Sequence, residues 1–414
     1  MINFEKIKFR GKIINLFISN VLIFVFLFDI FTQSEILKDN FFYSGKAIFS
    51  DLLVIIPNLE ELSNWNLFDT EKKSSTEPFN RIMNYPLVWT YIFDFFSNFG
   101  NPAIIFGIIE LFIYVLFANL ILLQANKNFY LYFFLLFSPP ILLMLERGNI
   151  DCFIFFLLLS SILTKSYLSG ILLGLAIGFK YYPILILPFY FFFKKINKKF
   201  LFGFVITIPM IVWTFLQVKI MLATTPISFS TSFGIYSFAL FLIKVINELF
   251  FLEFEKKYIF FFYLFSIFLF FTTSLISNYF FKKDIVKILE ILKLNKKELK
   301  LFILFSTLTI LVFFVFSNFA YRIVFLMPPA LIYLNNLDKI NKCFNFKKKS
   351  IYLLLAIAPF FFPWIISTTR EDLILLNYYS WAFYSFVVFI SIIFYFLILY
   401  NFYLEKIKSV KINL

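Results

Sequence analysis

A short block between Met144 and Pro188 carries the residue types that handle a phosphate and a hydroxyl. It runs Glu146-Arg147-Gly148-Asn149-Ile150-Asp151, then a short apolar stretch, then Gly170, Gly174 and Gly178 at four-residue spacing, then Lys180-Tyr181-Tyr182-Pro183. Charged groups at bilayer depth are costly, and the apolar segments between these charges are too short to span comfortably. The block therefore reads as a polar site at one membrane face. Arg147 suits a phosphate, while Asn149 and Asp151, facing a polar cavity, suit a hydroxylated ligand. Plainer readings stand beside these: Arg147 pairs with Glu146 as an interfacial anchor, and Lys180 snorkels at a helix end. The glycines form a small-xxx-small stripe, which means close helix packing that holds short helices in place.

A second candidate is Asp51, which opens the half-apolar segment SDLLVIIPNLEELSNWNLFD and is followed by Glu60, Glu61 and Asp69. A carboxylate held at a membrane surface beside apolar residues becomes more basic, which suits a general base acting on a hydroxyl. The alternative is that Ser50 or Asp51 caps a surface helix. Asp29, near the outer end of the first apolar run, is a rival base, or else a solvated interfacial acid. Arg322, in Asn318-Phe319-Ala320-Tyr321-Arg322, is a second phosphate candidate, because a flanking cation is unusual on the outer side. Arg370 is weaker, since Glu371 and Asp372 neutralise it. Asn84-Tyr85-Pro86 reads as a turn.

These residues must be positioned by a membrane protein. Hydrophobic residues make up 61% of the 414 positions, charged residues only 15%, and Phe alone occurs 69 times. Apolar runs of the roughly 20 residues that a bilayer requires recur from Ile13 to Tyr403 and are continuous rather than alternating, so helices are the spanning element. The formal charge of +14 gathers in short loops, where it signals orientation rather than nucleic-acid binding. There is no His, which excludes imidazole catalysis and His-ligated metals, and the two cysteines form neither a disulfide framework nor a metal cluster. No Gly-rich phosphate loop, dinucleotide fingerprint or nucleophile elbow appears in any hydrophilic segment, so nucleotide-driven chemistry is not expected and no cofactor is assigned. The first run, behind Lys6, Lys8, Arg10 and Lys12, reads as a retained anchor.

The expected fold is all-α and polytopic, with about twelve transmembrane helices: 13–31, 102–124, 128–145, 150–164, 167–179, 181–194, 200–222, 257–281, 301–317, 322–336, 351–367 and 379–403. The Lys and Arg distribution places both termini in the cytoplasm, at the cell inner (plasma) membrane. Residues 1–414 read as one integral membrane domain, with a large non-cytoplasmic loop at 32–101, an outer interfacial segment at 223–256 and a basic cytoplasmic loop at 282–300. A span at 234–252 is rejected because it would put the lysines between Lys282 and Lys300 outside. Lys244, Glu248, Glu253 and Glu255 suggest instead an amphipathic helix on the outer surface, and Leu87 to Phe96 reads likewise.

The order of SDLLVIIPNLEELSNWNLFD, MNYPLVWTYIF, GNID, GILLGLAIGFKYYP and AYRIVFLMPP resembles glycosyltransferase family 87 of the GT-C superfamily over roughly residues 45–335. That resemblance implies an integral membrane enzyme taking a hexose, most commonly mannose, from a polyprenyl-phosphate donor. The sugar passes with inversion to a lipid-linked or cell-envelope glycan on the non-cytoplasmic face, without a nucleotide and often without a metal. Asp51 matches the family's first-loop acid. Arg147, Lys180 and Arg322 are physical candidates for the donor phosphate, with Asn149, Asp151 and Tyr181 as further substrate contacts. The family often shows a Gly-then-Tyr turn and a Pro pair, where this chain has Asn66-Leu67-Phe68-Asp69 and the single Pro86. The partners implied are donor, glycan acceptor and membrane lipids, with no nucleic acid. A secondary transporter or lipid-carrier flippase is the alternative. A transporter would have repeated halves with helices broken at corresponding positions.

Overall fold

The structure is a computed structural model, and it describes residues 17, 20–21, 49–53, 55, 85–125, 129–193, 197–224, 232–250, 258–293, 295–315, 318–366 and 374–412. Most of the first span, Asp29, most of the 32–101 loop with Glu60, Glu61 and Asp69, and the Arg370 cluster lie outside the described residues. The chain divides into two compact units, one made of Met1–Pro183 with Ile196–Pro226, the other of Ile184–Lys195 with Ile227–Leu414.

In the first unit, a one-turn helix α1 (Ser50–Leu53) is followed by α2 (Val88–Ser97), α3 (Pro102–Gln124), α4 (Phe129–Leu136), α5 (Pro139–Glu146), α6 (Asp151–Leu163) and α7 (Ser166–Phe179). Helix α3 begins where Asn101 accepts from the Ala103 N–H at 3.0 Å, with Pro102 in the first turn, as good capping requires. Its buried residues Ala103, Gly107, Glu110, Tyr114, Ala118 and Leu122 recur at three- and four-residue spacing and form one inward stripe. Phe112, Leu116 and Leu120 are exposed on the other side, as a lipid-facing surface allows. The expected span 128–145 is instead two helices, α4 and α5, bent by 41°. The break falls at Ser138, held extended at ψ 153° before Pro139-Pro140, because proline clashes with a helical residue ahead of it.

After a 3-10 turn (Tyr182–Ile186) and α8 (Leu187–Phe193), α9 (Lys198–Ile206) and α10 (Ile208–Thr224) are likewise bent by 51° at Thr207, beside Pro209. The glycine stripe of α7 faces this pair within the first unit. A Cβ on Gly170 would collide with the Phe200 carbonyl oxygen, one on Gly174 with Thr207, and one on Gly178 with Met210. Gly203 stands in the same relation to the Tyr167 carbonyl, so the backbones of α7 and α9 touch and the stripe is packing, as its spacing suggests.

The second unit contains α8, α11 (Ile235–Phe250), α12 (Ile259–Leu292), α13 (Lys296–Val315), a 3-10 segment (Ala320–Leu326), α14 (Met327–Asn335), α15 (Leu337–Cys343), α16 (Phe346–Ile366) and α17 (Ile374–Ile412). Two two-residue strands, β1 (Ser232–Phe233) and β2 (Asn318–Phe319), pair antiparallel with Ser232 opposite Phe319. Phe270 of α12 meets Phe313, Phe314, Phe389 and Phe396, so the abundant phenylalanines form an aromatic core here. Helix α11 turns Phe238, Ala239 and Ile243 inward, with the Phe238 ring stacked on Phe389 at 4.2 Å.

The expected count of about twelve spans runs over the whole chain, part of which lies outside the described residues. Among the described residues three helices are long and apolar enough to cross a membrane (Pro102–Gln124, Ile259–Leu292 and Phe383–Ile407), or up to five if each bent pair is one span. Several of the other expected spans are shorter as helices than a crossing requires. Those at 150–164 and 167–179 are helices of 13 and 14 residues, and those at 181–194 and 322–336 are 3-10 turns running into short helices around Pro188 and Pro328-Pro329. The 282–300 segment is mostly helical rather than a loop, because α12 runs on to Leu292 and α13 starts at Lys296. Lysine and glutamate favour helix, and charge alone does not end one.

Candidate active site

The site is built at the point where α5 stops. Arg147 ends the helix, Gly148 takes a left-handed φ of +57°, the Gly148 N–H bonds the Leu145 carbonyl at 3.2 Å and the Asn149 N–H bonds the Met144 carbonyl at 3.0 Å. This is the paired bonding of a glycine-terminated helix end. Glycine is needed there twice over, since a Cβ would also come within 2.7 Å of Leu52 Cδ1. The α1 turn then uses the last carbonyls of α5: the Phe49 N–H bonds Glu146 O at 2.8 Å and the Asp51 N–H bonds Arg147 O at 3.0 Å. Phe49, at a φ of +56°, places its ring in the space that a Cβ on Gly107 of α3 would need. Two glycines distant in sequence thus make room for one turn, and that turn carries Asp51.

Asp51 is buried and held at both oxygens. Arg147 Nε donates to Oδ1 at 3.1 Å and Asn149 Nδ2 donates to Oδ2 at 2.6 Å. The same amide nitrogen reaches the Tyr85 hydroxyl oxygen at 3.3 Å, while Asn149 Oδ1 accepts the Asp151 N–H at 3.0 Å and so caps α6. Asp151 accepts from Lys180 Nζ at 2.5 Å and from the Tyr182 hydroxyl at 2.8 Å. Lys180 follows the C-terminus of α7, with its ammonium 4.8 Å from the centre of the Tyr85 ring. Burying a lone ion costs several kcal/mol, so both carboxylates need the cations they have. Trp89 of α2 closes the group by donating to the Phe179 carbonyl at 3.1 Å.

Five candidates from the sequence, Asp51, Arg147, Asn149, Asp151 and Lys180, therefore meet in one network. Tyr181 is buried next to it in the chain, with its ring 6.3 Å from that of Tyr182. Arg322 belongs to the second unit, where it is buried in the 3-10 segment. Three participants were not legible as such: Tyr85, read only as a turn; Tyr182, a neighbour of the Lys180 candidate; and Glu110. Both Glu110 oxygens are buried without a hydrogen-bond partner in the structure, and its charge feels Asp151, Lys180 and Asp51. The backbone N–H of Phe153, in the first turn of α6, acts on it from outside hydrogen-bond geometry. Its signal was available: a single acid midway along a 23-residue apolar helix. Among the described residues no group of three or more Cys, Asp or Glu side chains is placed to hold a metal ion.

The arrangement offers a carboxylate fixed in direction and a partly exposed guanidinium bound to it. In chemical terms such a pair has the makings of a general base with a cation at its side. Against known families, residues 84–242 match the model of glycosyltransferase family 87, a stretch that includes every network member except Asp51. The match identifies the chain as a glycosyltransferase. Neither curated proteins nor solved structures yield a match.

Proposed function

With the family 87 match as premise, we propose that this membrane glycosyltransferase moves a mannose-like hexose from a polyprenyl-phosphate donor to a lipid-linked or cell-envelope glycan. Transfer takes place on the non-cytoplasmic face of the plasma membrane and inverts the anomeric centre. The observation that carries the reading is the buried Asp51 carboxylate, held at both oxygens by Arg147 and Asn149. In the reaction an acceptor hydroxyl attacks the anomeric carbon, Asp51 takes its proton, and the bond from that carbon to the phosphate oxygen breaks with its electron pair on the phosphate.

Arg147 links the two halves of this step. Its side chain is 20% exposed and bonds Asp51 through Nε, and a planar guanidinium suits a phosphate. As Asp51 becomes neutral it loses its hold on the guanidinium while negative charge grows on the leaving group, and the attraction passes from one to the other. Lys180 stays paired with Asp151 and contributes its field. Asp151 is a candidate for the sugar hydroxyls through its carboxylate, and Tyr181 and Arg322 enter as substrate contacts on residue type.

The test is transfer from radiolabelled polyprenyl-phosphate hexoses in membranes containing the wild type or Asp51→Asn. Wild type should move label into a new lipid or polymer, and Asp51→Asn should lose on the order of 10²–10⁴-fold in rate while remaining folded. A normal rate in that variant would sink the base assignment. Movement of labelled carrier across vesicles without any transfer would favour a flippase.

A further inference from the structure

Asn149 has no N–H left to offer a ligand, and its oxygen is buried against the start of α6. It is fully buried, its oxygen accepts the Asp151 N–H, and its nitrogen donates to Asp51 Oδ2 and to the Tyr85 hydroxyl oxygen. A side-chain amide has two N–H hydrogens and one carbonyl oxygen, and each has found a partner here. The direction of the amide is fixed by chemistry, because the flipped form would set its NH₂ against the Asp151 N–H and its oxygen against the Asp51 carboxylate.

We infer that Asn149 is a positioning residue: it aims the Asp51 carboxylate and ties it to the Lys180–Asp151 pair, rather than touching substrate. The inference rests on Asp51 being the base. Asp151 holds Asn149 by its backbone N–H and Lys180 by its carboxylate, while Tyr85 receives the amide at its hydroxyl and the ammonium over its ring. One amide therefore joins two ion pairs. Without it, Asp51 Oδ2 loses the donor that aims it, and the base leaves the line of the acceptor hydroxyl.

The experiment compares Asn149→Ala and Asn149→Asp with wild type and Asp51→Asn, measuring kcat, KM for donor and acceptor, and the pH profile of transfer. Asn149→Ala should lower kcat about 10–100-fold with KM little changed, the size expected for a misaligned reacting group. Its acidic limb should move to higher pH, because the lost N–H no longer favours the ionised form of Asp51. Asn149→Asp preserves the α6 cap and the shape but turns an oxygen toward Asp51. It should recover relative to Asn149→Ala as pH falls and the two carboxyls share a proton. A raised KM at unchanged kcat, or an unmoved acidic limb, overturns the inference. The infrared carboxylate band that disappears in Asp51→Asn reads the contact independently of catalysis. If Asp51→Asn transfers normally, the base reading fails and the inference falls with it; a band that shifts in Asn149→Ala while Asp51→Asn loses transfer supports the inference, and a band that stays in place there overturns it.

Discussion

Asp51 and Asp284 are both acids held by a cation and a polar neighbour, one in each unit, and they differ in what surrounds them. Asp284 of α12 accepts from Lys348 at 2.6 Å and from the Tyr352 hydroxyl at 2.7 Å, joining α12 to α16. Lys348 is 47% exposed, so this node opens to solvent at its cation. Around Asp51 everything is more enclosed. The linked pair Lys180–Asp151 is 7% and 0% exposed, and Glu110 adds a carboxylate with no hydrogen bond at all. A fastening between two helices requires one acid and one cation. Four buried acids (Asp51, Asp151, Glu110 and Glu146), two cations and an amide exceed what fastening requires, and such a surplus points to a site.

The comparison breaks most visibly at the lysines. Lys180→Met should destabilise the protein by about 3–5 kcal/mol, because it strips a fully buried carboxylate of the cation bonded to it. Unfolding in mild detergent, followed by loss of helix signal against temperature or denaturant, measures this. A change under 1 kcal/mol would mean that Asp151 does not depend on Lys180, and the idea of a linked network would fall.

Glu110 sharpens the contrast from the other side. An acid without partners works against folding, so Glu110→Leu should raise stability by about 1–3 kcal/mol in the same assay. If transfer falls while stability rises, the acid is kept for the reaction at the expense of the fold. If stability drops instead, Glu110 has a partner, such as an enclosed water, and is structural.

How far the sequence foretold this depends on which physical signal each residue carries. Arg147, Asn149, Asp151 and Lys180 stand out because polar residues in apolar surroundings are conspicuous whatever the fold. Asp51 lies 96 positions before Arg147, and only the chain reversal built on Gly148 and Gly107 brings the two together. The role of Asn149 was not legible, because what an amide does is set by which atom faces which neighbour. Glu110 carries the same signal singly, with no second charge near it in sequence to reinforce it. For the fold, hydropathy located the apolar runs well, and α3 occupies the expected residues 102–124. It did not register Pro139-Pro140 and Pro209, which bend the chain, or the 3-10 turns at Tyr182–Ile186 and Ala320–Leu326, which shorten what looked like spans.

The smallest expected effect belongs to the second node, and it decides whether the contrast is one of kind. Lys348→Met should cost no more than about 1 kcal/mol, since a half-exposed ammonium exchanges a carboxylate for water with little loss. Asp284 keeps the Tyr352 hydroxyl bond in that variant and can reach solvent through the space the ammonium leaves. Transfer should be unchanged, which separates this acid from Asp51 even though both are held by a cation. A loss of several kcal/mol would show that Asp284 is as dependent on its cation as Asp151, and that burial alone does not distinguish a fastening from a site. A loss of transfer at unchanged stability would be more telling still. It would mean that the α12–α16 fastening acts on the reaction rather than only on the fold, and the surplus of charge in the first unit would no longer be sufficient to locate the chemistry.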